Sequence, residues 1–62
     1  MFNNLMKFRM EQGLTQRELA SKADVHSSMI SHLERGTREG TITVWRKLAL
    51  SLGVKLSELI PD

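Results

Sequence analysis

Three short polar side chains, Ser28, Ser31 and His32, stand near one side of a stretch whose other side carries Ile30 and Leu33. Each helical residue advances about 100° around the axis, so the apolar pair and the polar set, continued by Arg35, lie on opposed sides. The chemistry open to such a flank is hydrogen bonding. A serine hydroxyl donates to or accepts from any base, and a histidine donates to the N7 and O6 acceptors of a purine. Catalysis and metal binding find no support. His26 and His32 fall about 240° apart on a helix and diverge. No carboxylate pair or nucleophile stands at a matching offset, so no catalytic residue, metal ligand or cofactor is expected. A rod with one buried stripe and one small, uncharged-to-basic stripe has the shape of a reading head for a nucleic-acid groove.

Positioning such a rod requires other helices. From Thr15 to Arg35 the apolar positions are Leu19, Ala20, Ala23, Val25, Ile30 and Leu33, which is helical spacing on each side of a break near Asp24. Thr15 followed by Glu18 forms a capping box that starts the first of these two helices. Before it, Asn3 or Asn4 caps a helix running to about Gln12, with Leu5 and Phe8 inward and Gly13 ready to end it. After it, Gly36 ends the reading helix and Thr37 to Gly40 form a loop. Thr41 caps a helix through about Leu52 with Ile42, Trp45, Leu48, Ala49 and Leu52 inward. Gly53 stops it, and a last short helix from about Leu56 to Ile60 halts at Pro61.

The whole chain bounds the reading further. Its 62 residues make one small domain, 1–62, near the lower limit for a fold without staples, and it holds no cysteine for disulfides or thiolate metal sites. Nine Lys and Arg against seven Asp and Glu give a net charge of +2, modest for a nucleic-acid binder, so placement of charge matters more than its sum. No run of eighteen apolar residues occurs and the opening Met1-Phe2-Asn3-Asn4 is unlike a signal peptide. A soluble cytoplasmic protein, away from membranes, is expected. Trp45, spaced with Ile42 and Leu48, belongs to a core more than to a base-stacking platform.

The stretch resembles the helix-turn-helix of the lambda-repressor-like, Cro/Xre family of prokaryotes and phages, and the match extends to Leu5, Phe8 and Arg9, Gly13-Leu14-Thr15-Gln16, Leu33-Glu34-Arg35-Gly36, Leu48-Ala49, Leu52-Gly53-Val54 and Leu59. The resemblance implies an all-α, compact five-helix domain with the motif in helices 2 and 3. It implies that Ser27, Ser28, Ser31 and His32 reach base edges in the major groove, and that Gln16 clamps the DNA backbone at a helix start. Arg17, Arg35 and Arg38 flank the same surface as phosphate contacts. Arg9 and Glu34 match an orienting ion pair, with Arg9 keeping donors for a phosphate; exposed, such a pair contributes under about 1 kcal/mol. Arg46, Lys47 and Lys55 read as solvated charges.

Two departures mark this chain. Asp24 stands where relatives usually have glycine, in a left-handed turn that Asp tolerates better than most residues. His26 stands at the cap of the reading helix, where it is a poor substitute, so Ser27 or Ser28 takes over. In repressors of this family the start of the last helix forms a dimer contact, and Leu50, Val54, Leu56 and Ile60 make an apolar patch suited to it. The reading is a sequence-specific double-stranded DNA-binding transcriptional regulator of repressor or controller type, acting as a homodimer. The competing reading is a module for protein-protein interaction, docking through adaptable Met6 and Met10.

Overall fold

The computed structural model describes residues 3–61, so Met1, Phe2 and Asp62 of the expected domain lie outside it. It contains five helices: α1 (Leu5–Glu11), α2 (Gln16–Ala23), α3 (Ser27–Arg35), α4 (Ile42–Leu52) and α5 (Leu56–Leu59). The all-α, five-helix architecture expected from the sequence is the one observed. α2 lies against both α3 and α4, α1 against α3, and α5 against α4. No helix among the described residues is long and apolar enough to cross a membrane.

One residue from nearly every turn supplies the core: Leu5, Leu19, Ala20, Ala23, Ile30, Leu33, Trp45, Leu48, Ala49, Leu52 and Leu59 are buried. Each buried leucine or isoleucine contributes about 1.5–3 kcal/mol, which is what a chain without staples must rely on. Ala20 and Ala23 let α2 approach its neighbours closely, since a methyl leaves the backbones room that a larger side chain would fill. Ile42 corrects the expected pattern. It is 54 % exposed, although its spacing to Trp45 is helical. As the first residue of α4 it has no preceding turn to pack beneath it, and the half-buried Val44 closes that edge of the core instead.

The helix starts follow local chemistry. Thr15 and Glu18 form the expected capping box, with the Thr15 hydroxyl accepting from the Glu18 N–H at 3.0 Å and the Glu18 carboxylate accepting from the Thr15 N–H at 2.8 Å. The Thr15 backbone N–H, then its hydroxyl, hold the Glu18 carboxyl below its ordinary range. This contribution is present above the ordinary glutamate value and is lost as pH falls through the lowered one. Thr41 caps α4 by accepting from Val44. At α1 the residue in the cap position is Asn4, yet the capping oxygen belongs to Asn3, which accepts from the Leu5 N–H at 3.0 Å. The Asn4 side chain is spent elsewhere, donating to the Glu58 carbonyl and so joining the start of α1 to α5.

The helix ends share one device. Helices α1 to α4 each close with paired backbone hydrogen bonds around a left-handed residue, Gly13, Asp24, Gly36 and Gly53. Asp24 is the one residue of the four with a side chain to accommodate, at φ 57 and ψ 50. Its N–H donates to Ser21 and the Val25 N–H to Ala20, so the turn forms despite the missing glycine. Replacing Asp24 with glycine should raise stability by about 0.5–1 kcal/mol, because the relief of left-handed strain exceeds the added freedom of the unfolded chain. Urea denaturation followed by circular dichroism measures it, and a loss of stability would show that Asp24 is unstrained.

Gly40 is required for a different reason, its closeness to the core. A Cβ there would sit 3.0 Å from Trp45 Nε1 and 3.1 Å from Leu33 Cδ2. The buried Trp45 Nε1 has no hydrogen-bond partner among the described residues. Gly40→Ala should destabilise the domain by about 1–2 kcal/mol through overpacking. Tryptophan fluorescence during urea unfolding tests this, since an unchanged midpoint would mean the loop yields freely.

Candidate nucleic-acid interface

The reading flank is built by burying its opposite. Ile30 and Leu33 are 0 % and 1 % exposed, which fixes the rotation of α3 about its axis. Ser27 and Ser28 are exposed, and Ser31 and His32 are half-buried on the outward side, with Arg35 exposed beyond them. Arg35 Nε donates to the Ser31 carbonyl at 3.3 Å, a bond along the helix that leaves its terminal nitrogens outward. His26 holds the cap position of α3 but makes no side-chain cap, and neither Ser27 nor Ser28 replaces it, because both already lie inside the helix. The expected substitute cap is therefore absent, and among the described residues no side chain caps the first N–H groups of α3.

Arg9 and Glu34 meet as the resemblance implied, but in a different setting from an exposed pair. Arg9 Nε lies 2.6 Å from Glu34 Oε2, and the two side chains are only 14 % and 1 % exposed. A second guanidinium nitrogen donates to Glu34 Oε1 at 3.2 Å, making the contact bidentate, and a third donates to the Leu14 carbonyl at 2.8 Å. The hydrogen bond that Arg9 donates to Glu34 raises the Arg9 pKa above its ordinary value, so the guanidinium is charged at any working pH.

Gln16 joins this network. Its Nε2 donates to Glu34 Oε1 at 3.0 Å, so the amide expected to clamp the DNA backbone braces α2 against the end of α3. Its carbonyl oxygen is an acceptor, and the first backbone N–H groups of α2 begin at the same place. The carboxylate of Glu34 thus gathers α1, α2 and α3 at one point. Arg17, on α2, and Arg38, in the loop after α3, are exposed.

A contact that residue types alone did not reveal lies at the far end of α3. Thr37 Oγ1 stands 2.9 Å from His32 Nδ1. The signal was present in the spacing: with Gly36 left-handed at φ 72, the next residue folds back on the helix and its N–H donates to the His32 carbonyl at 3.1 Å.

The proposed dimer residues divide. Leu50 is 83 % exposed, whereas Val54, Leu56 and Ile60 are half-buried against the core. Met6 and Met10 are 44 % and 63 % exposed on α1. Among the described residues no group of three His, Asp or Glu side chains is placed to hold a metal ion.

Two short helices at a tight turn, the second anchored by its apolar side and open on its polar side, define a helix-turn-helix DNA-binding regulator, a class that is not enzymatic. The chain belongs to the helix-turn-helix family of Cro/C1 type, whose pattern matches residues 5–59, and this family binds double-stranded DNA. It is 38 % identical over 58 residues to the uncharacterized HTH-type transcriptional regulator y4dJ of Sinorhizobium fredii, covering 94 % of this chain and 75 % of the relative. It is 34 % identical over 61 residues to the control protein C.MunI of Mycoplasma sp, covering 97 % and 82 % of the two. The crystal structure of the restriction-modification controller protein C.AhdI from Aeromonas hydrophila superposes with a TM-score of 0.88 at 32 % identity, covering 92 % of this chain and 86 % of that one.

Proposed function

We propose that this protein is a sequence-specific transcriptional regulator of the repressor or controller type, working in the cytoplasm as a homodimer that lays α3 of each copy in the major groove. One observation carries the reading: the flank of Ser27, Ser28, Ser31 and His32 faces outward while Ile30 and Leu33 lock the helix from behind. Gln16, with the first N–H groups of α2, and Arg17, Arg35 and Arg38 hold the phosphates on both sides of that groove, while Arg9, whose three guanidinium nitrogens are bonded within the domain, orients α3 instead. None of the four reading residues is Arg, Asn or Gln, so each head makes single hydrogen bonds in place of bidentate ones, and stringency is modest. Pairing two heads compensates, because a second head bound on the same duplex acts at high effective concentration. The likeness to two controller proteins supports the controller type.

Selection of bound sites from random duplex DNA tests the reading. The expected product is a palindrome with half-sites about 34 Å apart, bound with an affinity that falls as salt rises. Recovery of no consensus, together with salt-independent binding, would sink it and favour a protein-docking role for the Met6 and Met10 face. Leu50→Glu tests the dimer separately. Leu50 is exposed, so this change spares the core, and sedimentation should show monomers with weakened DNA binding; an unchanged sedimentation coefficient would place the contact elsewhere.

A further inference from the structure

His32 is the one reading residue whose hydrogen-bonding role depends on where a proton sits. A neutral imidazole carries one N–H and one bare nitrogen, and which is which follows from the partner of the inner nitrogen. Here that partner is Thr37. Its hydroxyl oxygen lies 2.9 Å from His32 Nδ1 and 3.3 Å from the His32 carbonyl oxygen. A hydroxyl has a single proton, and the carbonyl only accepts. If the hydroxyl proton went to Nδ1, the carbonyl contact would be two lone-pair oxygens facing each other. If it goes to the carbonyl, Nδ1 must carry the imidazole proton and donate to Oγ1, and both contacts become hydrogen bonds. The arrangement is held by backbone, since the Thr37 N–H also donates to the His32 carbonyl and Gly36 fixes the turn.

We infer that Thr37 sets His32 in the Nδ1–H form, so that Nε2 meets DNA as an acceptor and selects a base presenting an exocyclic amine, adenine N6 or cytosine N4, over the N7 and O6 acceptors of guanine. This reverses the donor role that residue type alone suggested. It rests on the proposed reading of the groove by α3, and it makes Thr37 a positioning residue that discriminates between bases without touching one. In the major groove the amines of adenine and cytosine are the donors within reach of such an acceptor.

Two measurements test it, both made at about pH 8.5. Long-range ¹⁵N–¹H correlation spectra of the free protein should show Nδ1–H for His32 in the wild type and in Thr37→Ser, and a shift toward Nε2–H in Thr37→Val, whose folding is checked by circular dichroism. Duplexes carrying the selected site, varied at the base pair opposite His32, should show about a tenfold preference for adenine or cytosine over guanine. That preference should vanish in Thr37→Val and return in Thr37→Ser. An Nε2–H form in the wild type overturns the inference, as does a preference unaffected by Thr37→Val. A protein that selects no duplex overturns the reading of the groove, and the base preference with it, while the imidazole spectrum still decides where the proton sits.

Discussion

Replacing Glu34 with alanine should lower the unfolding free energy by about 3 kcal/mol, a large share of the stability a domain of this size holds. The carboxylate is 1 % exposed and accepts from Arg9 Nε, from a second Arg9 nitrogen and from Gln16 Nε2. Without it the guanidinium keeps the Leu14 carbonyl but loses its counter-charge in a place water barely reaches, and the Gln16 amide loses its acceptor. The figure is set at the low end for a broken buried pair because Arg9 retains 14 % exposure. The midpoint of thermal unfolding should fall by more than about 10 °C, read by circular dichroism. A loss below about 1 kcal/mol would show the pair to behave as a surface one. Replacing Arg9 and Glu34 together with methionine and leucine should be far milder, since no charge is then stranded. Arg9 adds no pH dependence of its own at ordinary pH. A base whose folded pKa is raised gives its full contribution below the unfolded value and loses it only as pH rises through the folded one, above the range in which the protein is handled.

The same substitution has a functional side. α1, α2 and α3 meet at Glu34, so losing it loosens the angle at which α3 leaves the body of the domain. DNA affinity should therefore drop even under conditions where most molecules remain folded. An exposed version of this pair would have oriented α3 at little energetic consequence; the buried version orients and stabilises together.

Much of this arrangement is legible in the sequence because it is local. The Thr15 and Glu18 box, the Thr41 cap, the left-handed turns and the burial of Ile30 and Leu33 each depend on residues within a few positions of one another, where spacing and backbone sterics decide. Asp24 shows that even a departure is readable when the alternative residue's tolerance is known. What stays hidden involves partners far along the chain or the absence of one. Gln16 sits at a helix start and reads as a phosphate clamp, but its amide partner lies eighteen positions away and no spacing rule reaches it. Ile42 fits the periodicity of α4 and still faces outward, since periodicity says nothing about whether a neighbour covers the first turn. His26 leaves α3 without a side-chain cap, which no propensity rule favours and which only the placement of Ser27 and Ser28 inside the helix reveals. Leu50, Val54, Leu56 and Ile60 form one apolar patch in sequence, and tertiary packing separates the one exposed leucine from three residues already engaged with the core.

Changing Ser28, Ser31 and His32 together to alanine should leave folding intact and reduce affinity for the selected site about 100-fold. The stability side follows from position. All three lie on the outward side of α3, away from Ile30 and Leu33, and alanine is a better helix former than serine or histidine. The affinity side follows from arithmetic, since each lost base contact is worth about 1 kcal/mol or more and three together approach the factor stated. Binding to random duplex should change little, because the phosphate contacts proposed for Arg17, Arg35 and Arg38 carry no sequence information. Removing Arg17 or Arg38 should do the opposite, weakening all duplexes alike and lowering the salt slope by about one per residue. Titrations at several salt concentrations separate the two classes. If the triple variant kept its preference for the selected site, the outward flank of α3 would not be what reads the DNA, and α3 would have to present a different edge than the one that Ile30 and Leu33, from within the core, force it to present.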